Sequence, residues 1–212
     1  MERFTTLVGI AAPLMDANID TDAIIPVEQM KAMDADFGKS LFHGQRYAAD
    51  GTERADFVLN RAPYRKAEIL IAGPNFGCGS SREHAVWALV GFGIRCVIAP
   101  GFSDIFYNNS FKNGLLPIHL PDETVAGLAA QAAAQDAESP TAFVVDLVEC
   151  TVAGPDGQAT RFEIDPARRE ALLEGLDEIG MTLKHESDIR AFQAADAEAR
   201  PWVYGNAFRL DA

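Results

Sequence analysis

The sequence predicts an α/β fold built around a parallel βαβαβ unit. Two observations predict it. Between residues 68 and 120, short and wholly apolar runs alternate with helix-like segments, the pattern of strands buried on both faces and joined by crossover helices. A glycine-rich loop joins the first of these runs to the helix after it, the place where α/β folds put ligands.

Taken in order, the first third is the least regular. Asn18-Ile19-Asp20-Thr21-Asp22 precedes Ala23-Ile24-Ile25-Pro26, and Lys31 to Tyr47 reads as loop or short helices. Glu68 to Gly73 is the first buried strand. Gly77-Cys78-Gly79-Ser80-Ser81-Arg82-Glu83-His84 follows, opening a helix from about Arg82 to Gly91. Ile94 to Ala99 is the second strand. Ser103 suits an N-cap for a helix that ends near Asn113-Gly114. Leu115 to Leu120 is the third strand, and Asp122 to Ala137 an Ala-rich helix. Phe143 to Val152 and Thr160 to Ile164 alternate around Gly154-Pro155-Asp156-Gly157, a hairpin pattern. Pro166 starts a helix that includes Arg168 to Leu176, and Thr182 to Ala199 forms a last one. No repeat or linker divides the 212 residues, which suffice for one substantial core.

Composition is that of a soluble globular chain, 48% hydrophobic and 23% charged, with no run of membrane-spanning length. Met1-Glu2-Arg3-Phe4 lacks the layout of a signal peptide, so a cytoplasmic location is expected. Cys78, Cys96 and Cys150 have no framework spacing, which suits a reducing compartment. A net charge of −13 argues against nucleic acid as a partner and requires any anion site to concentrate positive charge locally, as at Arg82.

The loop from Gly77 to His84 describes such a site. Its glycines permit a sharp turn and close approach, and a helix N-terminus presents unpaired N–H groups and partial positive charge. The dinucleotide fingerprint fails, because Arg82 stands where a third glycine is needed, and there is no Walker lysine and no Gly-x-Ser-x-Gly elbow. A Cys78 nucleophile with His84 as base is the weaker reading. Cys96 and Cys150 sit in strand-like runs as small hydrophobes, so no metal is expected on this chain, and any cluster must be carried by another. Arg82 can clamp a carboxylate through two parallel N–H bonds, and a serine beside it could act as a base only if its alkoxide were stabilised. Asp20 and Asp22 could form an acid/base pair, but turn-capping is the favoured role.

Asn18 to Pro26, Asn75 to Ala85 and Asp104 to Pro117 together closely resemble the small subunits of 3-isopropylmalate dehydratases, the swivelling domain of the aconitase superfamily as a separate chain. The likeness runs from about Phe4 to about Phe192, and its weaker C-terminal part rests on Gly175-Leu176-Asp177-Glu178-Ile179-Gly180. It implies a layered β/β/α swivelling domain, residues 1–212 forming one domain with a C-terminal helical extension. It implies a hydro-lyase of leucine biosynthesis shared between two chains, interconverting 2- and 3-isopropylmalate, whose large subunit holds a [4Fe–4S] cluster. By the match Ser80 is the catalytic base, Ser81 and Arg82 bind substrate, and Glu83 and His84 support them.

The family typically carries a basic Arg-Thr-Gly stretch where this chain has Met33-Asp34-Ala35-Asp36-Phe37-Gly38, and Trp-Arg-Tyr where it has Gln45-Arg46-Tyr47. That first segment helps choose the substrate in the superfamily. Its acids keep a second substrate open, 2-methylmalate/citraconate. A non-catalytic anion- or nucleotide-binding module is the alternative of another class.

Overall fold

One residue, Ile10, separates two strands that belong to different sheets: β1 (Thr6–Gly9) and β2 (Ala11–Leu14). The computed structural model describes residues 1–30, 36–79 and 82–204. The chain divides into two compact units, Met1–Gly175 and Leu176–Ala212.

In the first unit four short helices follow β2: α1 (Thr21–Ile24), α2 (Val27–Met30), α3 (Phe37–Ser40) and α4 (His43–Arg46). Then come β3 (Ile69–Ala72), α5 (His84–Phe92), β4 (Cys96–Ala99), α6 (Asp104–Lys112), β5 (Leu116–His119) and α7 (Asp122–Ala133). The unit closes with β6 (Phe143–Asp146), β7 (Thr151–Ala153), β8 (Ala159–Arg161) and α8 (Pro166–Glu174).

The parallel sheet has the order β2-β3-β4-β5, with Ala11 beside Ile69, Ile69 beside Cys96 and Cys96 beside Leu116. The antiparallel sheet has the order β1-β6-β7-β8. Strand alternation explains the layering. Ile69, Ile71, Cys96 and Ile98 face one way, onto Phe143, Val145 and Val152 of the antiparallel sheet and Val125, Leu128 and Ala132 of α7. Leu70, Ala72, Val97 and Ala99 face the other, onto Ala85, Val86 and Leu89 of α5 and Ile24 of α1. Both central strands are therefore buried on two faces, which is why they read as unbroken apolar runs. The expected βαβαβ unit is β3-α5-β4-α6-β5, and the layered β/β/α architecture is present.

Four expectations need correction. The first third contributes two strands, the second disguised by Pro13; β2 tolerates a proline because it is a sheet edge, as does β5 with Pro117. The helix expected from about Arg82 starts at His84. The run Phe143 to Val152 is two strands, broken by a turn in which Asp146 Oδ1 accepts from Glu149 N (2.8 Å) and Cys150 takes φ 53°. The last expected helix is two.

Those two are the helices of the second unit's described part, α9 (Glu178–Leu183) and α10 (Glu186–Ala199). Asp177 caps α9 by accepting from Gly180 N at 2.7 Å. Asp196 accepts from Arg200 Nε (2.6 Å) and Tyr204 Oη (2.9 Å) at the end of α10. Among the described residues no helix is long and apolar enough to cross a membrane.

Candidate functional site

The loop after β3 is held on both sides as an irregular continuation of the parallel sheet. On one side Asn18 N donates to Pro74 O (2.9 Å), Gly77 N to Ile19 O (2.8 Å) and Thr21 N to Cys78 O (3.0 Å). On the other Phe76 N donates to Gly101 O (3.0 Å) and Ser103 N to Phe76 O (3.1 Å). Ser103 caps α6 as expected, and its hydroxyl also donates to Gly77 O at 2.6 Å. The loop's position is thus set by backbone pairing with two other strand ends, before any side chain contributes.

Gly77 is required where it stands. Its φ is +74°, and a Cβ there would lie 2.3 Å from Cγ of Phe106. Phe106 in turn packs edge-on against Phe76, with ring centroids 5.3 Å apart.

Of the residues expected to form the site, Ser80 and Ser81 lie outside the described residues, as do Met33, Asp34 and Ala35 of the selectivity segment. Arg82, Glu83, His84, Asp36, Phe37 and Gly38 are described. Arg82 Nη1 donates to Asp22 Oδ1. Asp20 is a cap, accepting from Ala23 N at 2.7 Å, so the two aspartates do separate jobs and are no acid/base pair. Glu83 turns to Asn113, whose Nδ2 donates to Glu83 Oε1 at 2.7 Å; Trp87 Nε1 donates to Asn113 Oδ1 at 2.9 Å.

His84 lies within an aromatic cluster, 4.6 Å from the Trp87 ring and 5.8 Å from Phe37, which is itself 5.6 Å from Trp87. The segment from Asp36 to Gly38 therefore meets the first turns of α5. Their approach is close because a Cβ on Gly38 would lie 2.3 Å from Gly91 O. Asp36 caps α3, accepting from Lys39 N (3.2 Å) and pairing with Lys39 Nζ (3.4 Å); the hydrogen bond from Lys39 N holds its carboxyl below the usual carboxylate range.

Asn113 and Arg46 are the participants that sequence reasoning missed, and Asp22, read there as one of a pair with Asp20, partners Arg82 instead. Arg46, only 7% exposed, donates from Nε to Asn60 Oδ1 at 3.1 Å and from Nη1 to the carbonyls of Gly38 and Leu41, each at 3.4 Å. A buried polar motif like this has no periodicity to announce it. The thiols do not converge: Cys96 is fully buried in β4, and Cys78 and Cys150 are half-buried on separate loops. Among the described residues no group of three or more His, Cys, Asp or Glu could hold a metal ion.

The arrangement presents one guanidinium, pre-oriented by Asp22, beside a loop at the C-terminal ends of parallel strands. Among the described residues only its Nη1 is engaged, which leaves the other donors of the fork to bind an anion.

Family models match along most of the chain. "Aconitase C-terminal domain" covers residues 1–123, "LeuD_N" covers 130–166, and the C-terminal domain of the 3-isopropylmalate dehydratase small subunit covers 178–206. The 3-isopropylmalate dehydratase small subunit of Paramagnetospirillum magneticum is 53% identical over 204 residues, spanning 96% of this chain and all of that protein. The protein of the same name from Gluconacetobacter diazotrophicus is 56% identical over 203 residues, spanning 95% and 97%. The crystal structure of 3-isopropylmalate dehydratase (leuD) from Methanocaldococcus jannaschii superposes with a TM-score of 0.62 at 24% identity, covering 89% of this chain and 99% of that one, a likeness of fold.

Proposed function

The chain belongs to the family of 3-isopropylmalate dehydratase small subunits, and we infer that it supplies half of a hydro-lyase active site that interconverts 2- and 3-isopropylmalate. The observation that carries this reading is the Arg82 guanidinium, steered by Asp22 at the mouth of the Gly77–Gly79 loop. It is a carboxylate receptor in a chain of net charge −13, and the proposed substrate is a dicarboxylate.

In this reading Arg82 and Ser81 bind a substrate carboxylate, and Ser80 takes the proton from the carbon next to the one that loses hydroxide. The C–O bond breaks as the C=C bond forms, and the proton taken by Ser80 together with the departing hydroxide makes up the one water that is lost. Rehydration in the opposite sense moves the hydroxyl to the neighbouring carbon. Glu83, tied to Asn113, and His84, set among Phe37 and Trp87, hold the start of α5 in place.

An ordinary hydroxyl is too weak for this proton transfer, so the site needs further positive charge. The thiols of this chain do not fit as ligands of an iron–sulfur cluster, because Cys96 is sealed in β4 and the other two stand on different loops. The [4Fe–4S] cluster is therefore assigned to a large-subunit partner, where it would polarise the substrate hydroxyl. Within the same reading, residues 1–175 are the swivelling domain and the rest its helical extension.

Isopropylmalate is favoured over 2-methylmalate by the relatives at 53% and 56% identity, which are named 3-isopropylmalate dehydratase small subunits. The test is co-expression with the large subunit and anaerobic assay on both acids. Isopropylmalate turnover that is lost in Ser80→Ala is expected. Full activity of this chain alone, or of Ser80→Ala in the complex, refutes the reading.

A further inference from the structure

Among the described residues Arg46 is the buried arginine, 7% exposed. Its guanidinium reaches the carbonyls of Gly38 and Leu41 at the two ends of α3, and the amide oxygen of Asn60. Its Cζ also lies 5.1 Å from the Tyr47 ring centroid and 5.0 Å from that of Phe92. Asn60 completes the node by donating Nδ2 to Arg46 O at 2.7 Å and to Arg54 O at 3.0 Å. Phe92 is the last residue of α5, while His84 and Trp87 lie in its first turns. One planar fork therefore bonds α3 to its own chain and stacks it on the far end of α5.

Phe37 stands at the other end of that lever. It is the first residue of α3, one residue before the carbonyl that Arg46 holds, and its ring meets His84 and Trp87. The Gly38–Gly91 contact lets the two backbones close, but a close contact between two glycines has no side chain to fix its register. The directional bonds from Arg46 do that. A compact lysine ammonium could not reach two carbonyls and an amide while stacking on two rings.

We propose that Arg46 is a positioning residue for substrate selection: it sets Phe37 over the first turn of α5, next to Arg82, where the ring supplies an apolar wall for the substrate's alkyl group. The proposal rests on the dehydratase reading for its substrate and on the structure alone for the placement of Phe37.

Two readouts separate these parts. The chain has two tryptophans, and Trp202 is 76% exposed in the second unit, so Trp202→Phe leaves Trp87 as the chain's own reporter. In that background, Arg46→Lys should shift Trp87 emission to the red and raise its quenching by acrylamide, with the far-UV spectrum unchanged. In the complex with the large subunit, the same substitution should lower the ratio of kcat/KM for isopropylmalate over 2-methylmalate about tenfold, through KM rather than kcat, the size expected for a lost alkyl contact. Should Arg46→Lys fail to fold, Asn60→Ser removes the Nε partner and carries the same expectations. Unchanged Trp87 emission overturns the placement role. A shifted emission with an unchanged substrate ratio overturns the selection role. A parent complex, without substitution, that is inactive on both acids refutes the dehydratase reading, and Trp87 emission alone then decides the placement of Phe37.

Discussion

Asp22 accepts a hydrogen bond from the guanidinium of Arg82 across 60 residues of sequence, tying the first helical turn after β2 to the loop after β3. The side chains are 27% exposed for Arg82 and 59% for Asp22, so the pair contributes at most about 1 kcal/mol to stability. Its consequence is orientation. Asp22→Ala should leave the urea midpoint almost unmoved while raising KM for the substrate dicarboxylate about tenfold, because the clamp loses its pivot. Arg82→Lys, which loses the fork, should cost about 100-fold in kcat/KM. A fall in KM for Asp22→Ala would mean that Asp22 competes with substrate for the arginine rather than aiming it.

Gly77 combines two constraints that substitution can separate. Its φ of +74° is shared by Gly157, but a Cβ at Gly157 meets nothing within 4 Å, whereas one at Gly77 enters the Phe106 side chain. Gly157→Ala should therefore cost only the backbone penalty, about 1–2 kcal/mol. Gly77→Ala adds overpacking against a ring wedged between Phe76 and Phe102, for a total of about 2–5 kcal/mol. Denaturant unfolding of the two variants measures the difference, and equal losses would show that Phe106 yields.

What is readable in the sequence follows the range of the interaction. β3 and β4 announce themselves because each residue on both faces is buried, so the pattern is local. Ser103 announces the start of α6 because a cap acts within three residues. Pro13 hides β2, since edge position is a property of the sheet and not of the strand. At the proposed site, the glycine loop and Arg82 read in the sequence as an anion receptor. Asp22 reads as one of a neighbouring pair, yet its partner is Arg82, and no periodicity links them. Arg46 looks like one charge among many in an irregular segment; burial among carbonyls and rings distinguishes it, and burial is decided by the tertiary fold.

Asn113 offers a swap that tests how Glu83 is held. Its Nδ2 donates to Glu83 Oε1 while its Oδ1 accepts from Trp87. Asn113→Asp preserves shape and the indole bond but places a second carboxylate 2.7 Å from the first, which should cost about 1–3 kcal/mol. Adding Glu83→Gln restores a donor, because the new amide can give its N–H to the carboxylate introduced by Asn113→Asp. The double variant should recover at least about 1 kcal/mol relative to the sum of the single changes. Strict additivity would show that the contact contributes nothing to the start of α5.

Cys96 makes a pH-dependent prediction whose sign is fixed by burial. The thiol is sealed in β4, and desolvation pushes it up from the ordinary value of 9.0. The folded chain keeps it neutral, while the unfolded chain ionises it once the pH passes about 9. A group raised in the folded state contributes fully below the unfolded value, and its contribution is lost as pH rises above it. Between pH 8 and 10 the loss for one such thiol is about 1.4 kcal/mol. Cys96→Ala lowers stability at pH 8 by leaving a cavity, but it removes this slope. Urea unfolding at the two pH values should therefore show the parent losing about 1.4 kcal/mol more than the variant, all other titrating groups being common to both. Parallel losses in parent and variant would mean that the Cys96 thiol ionises in the folded chain, against its burial between the two sheets.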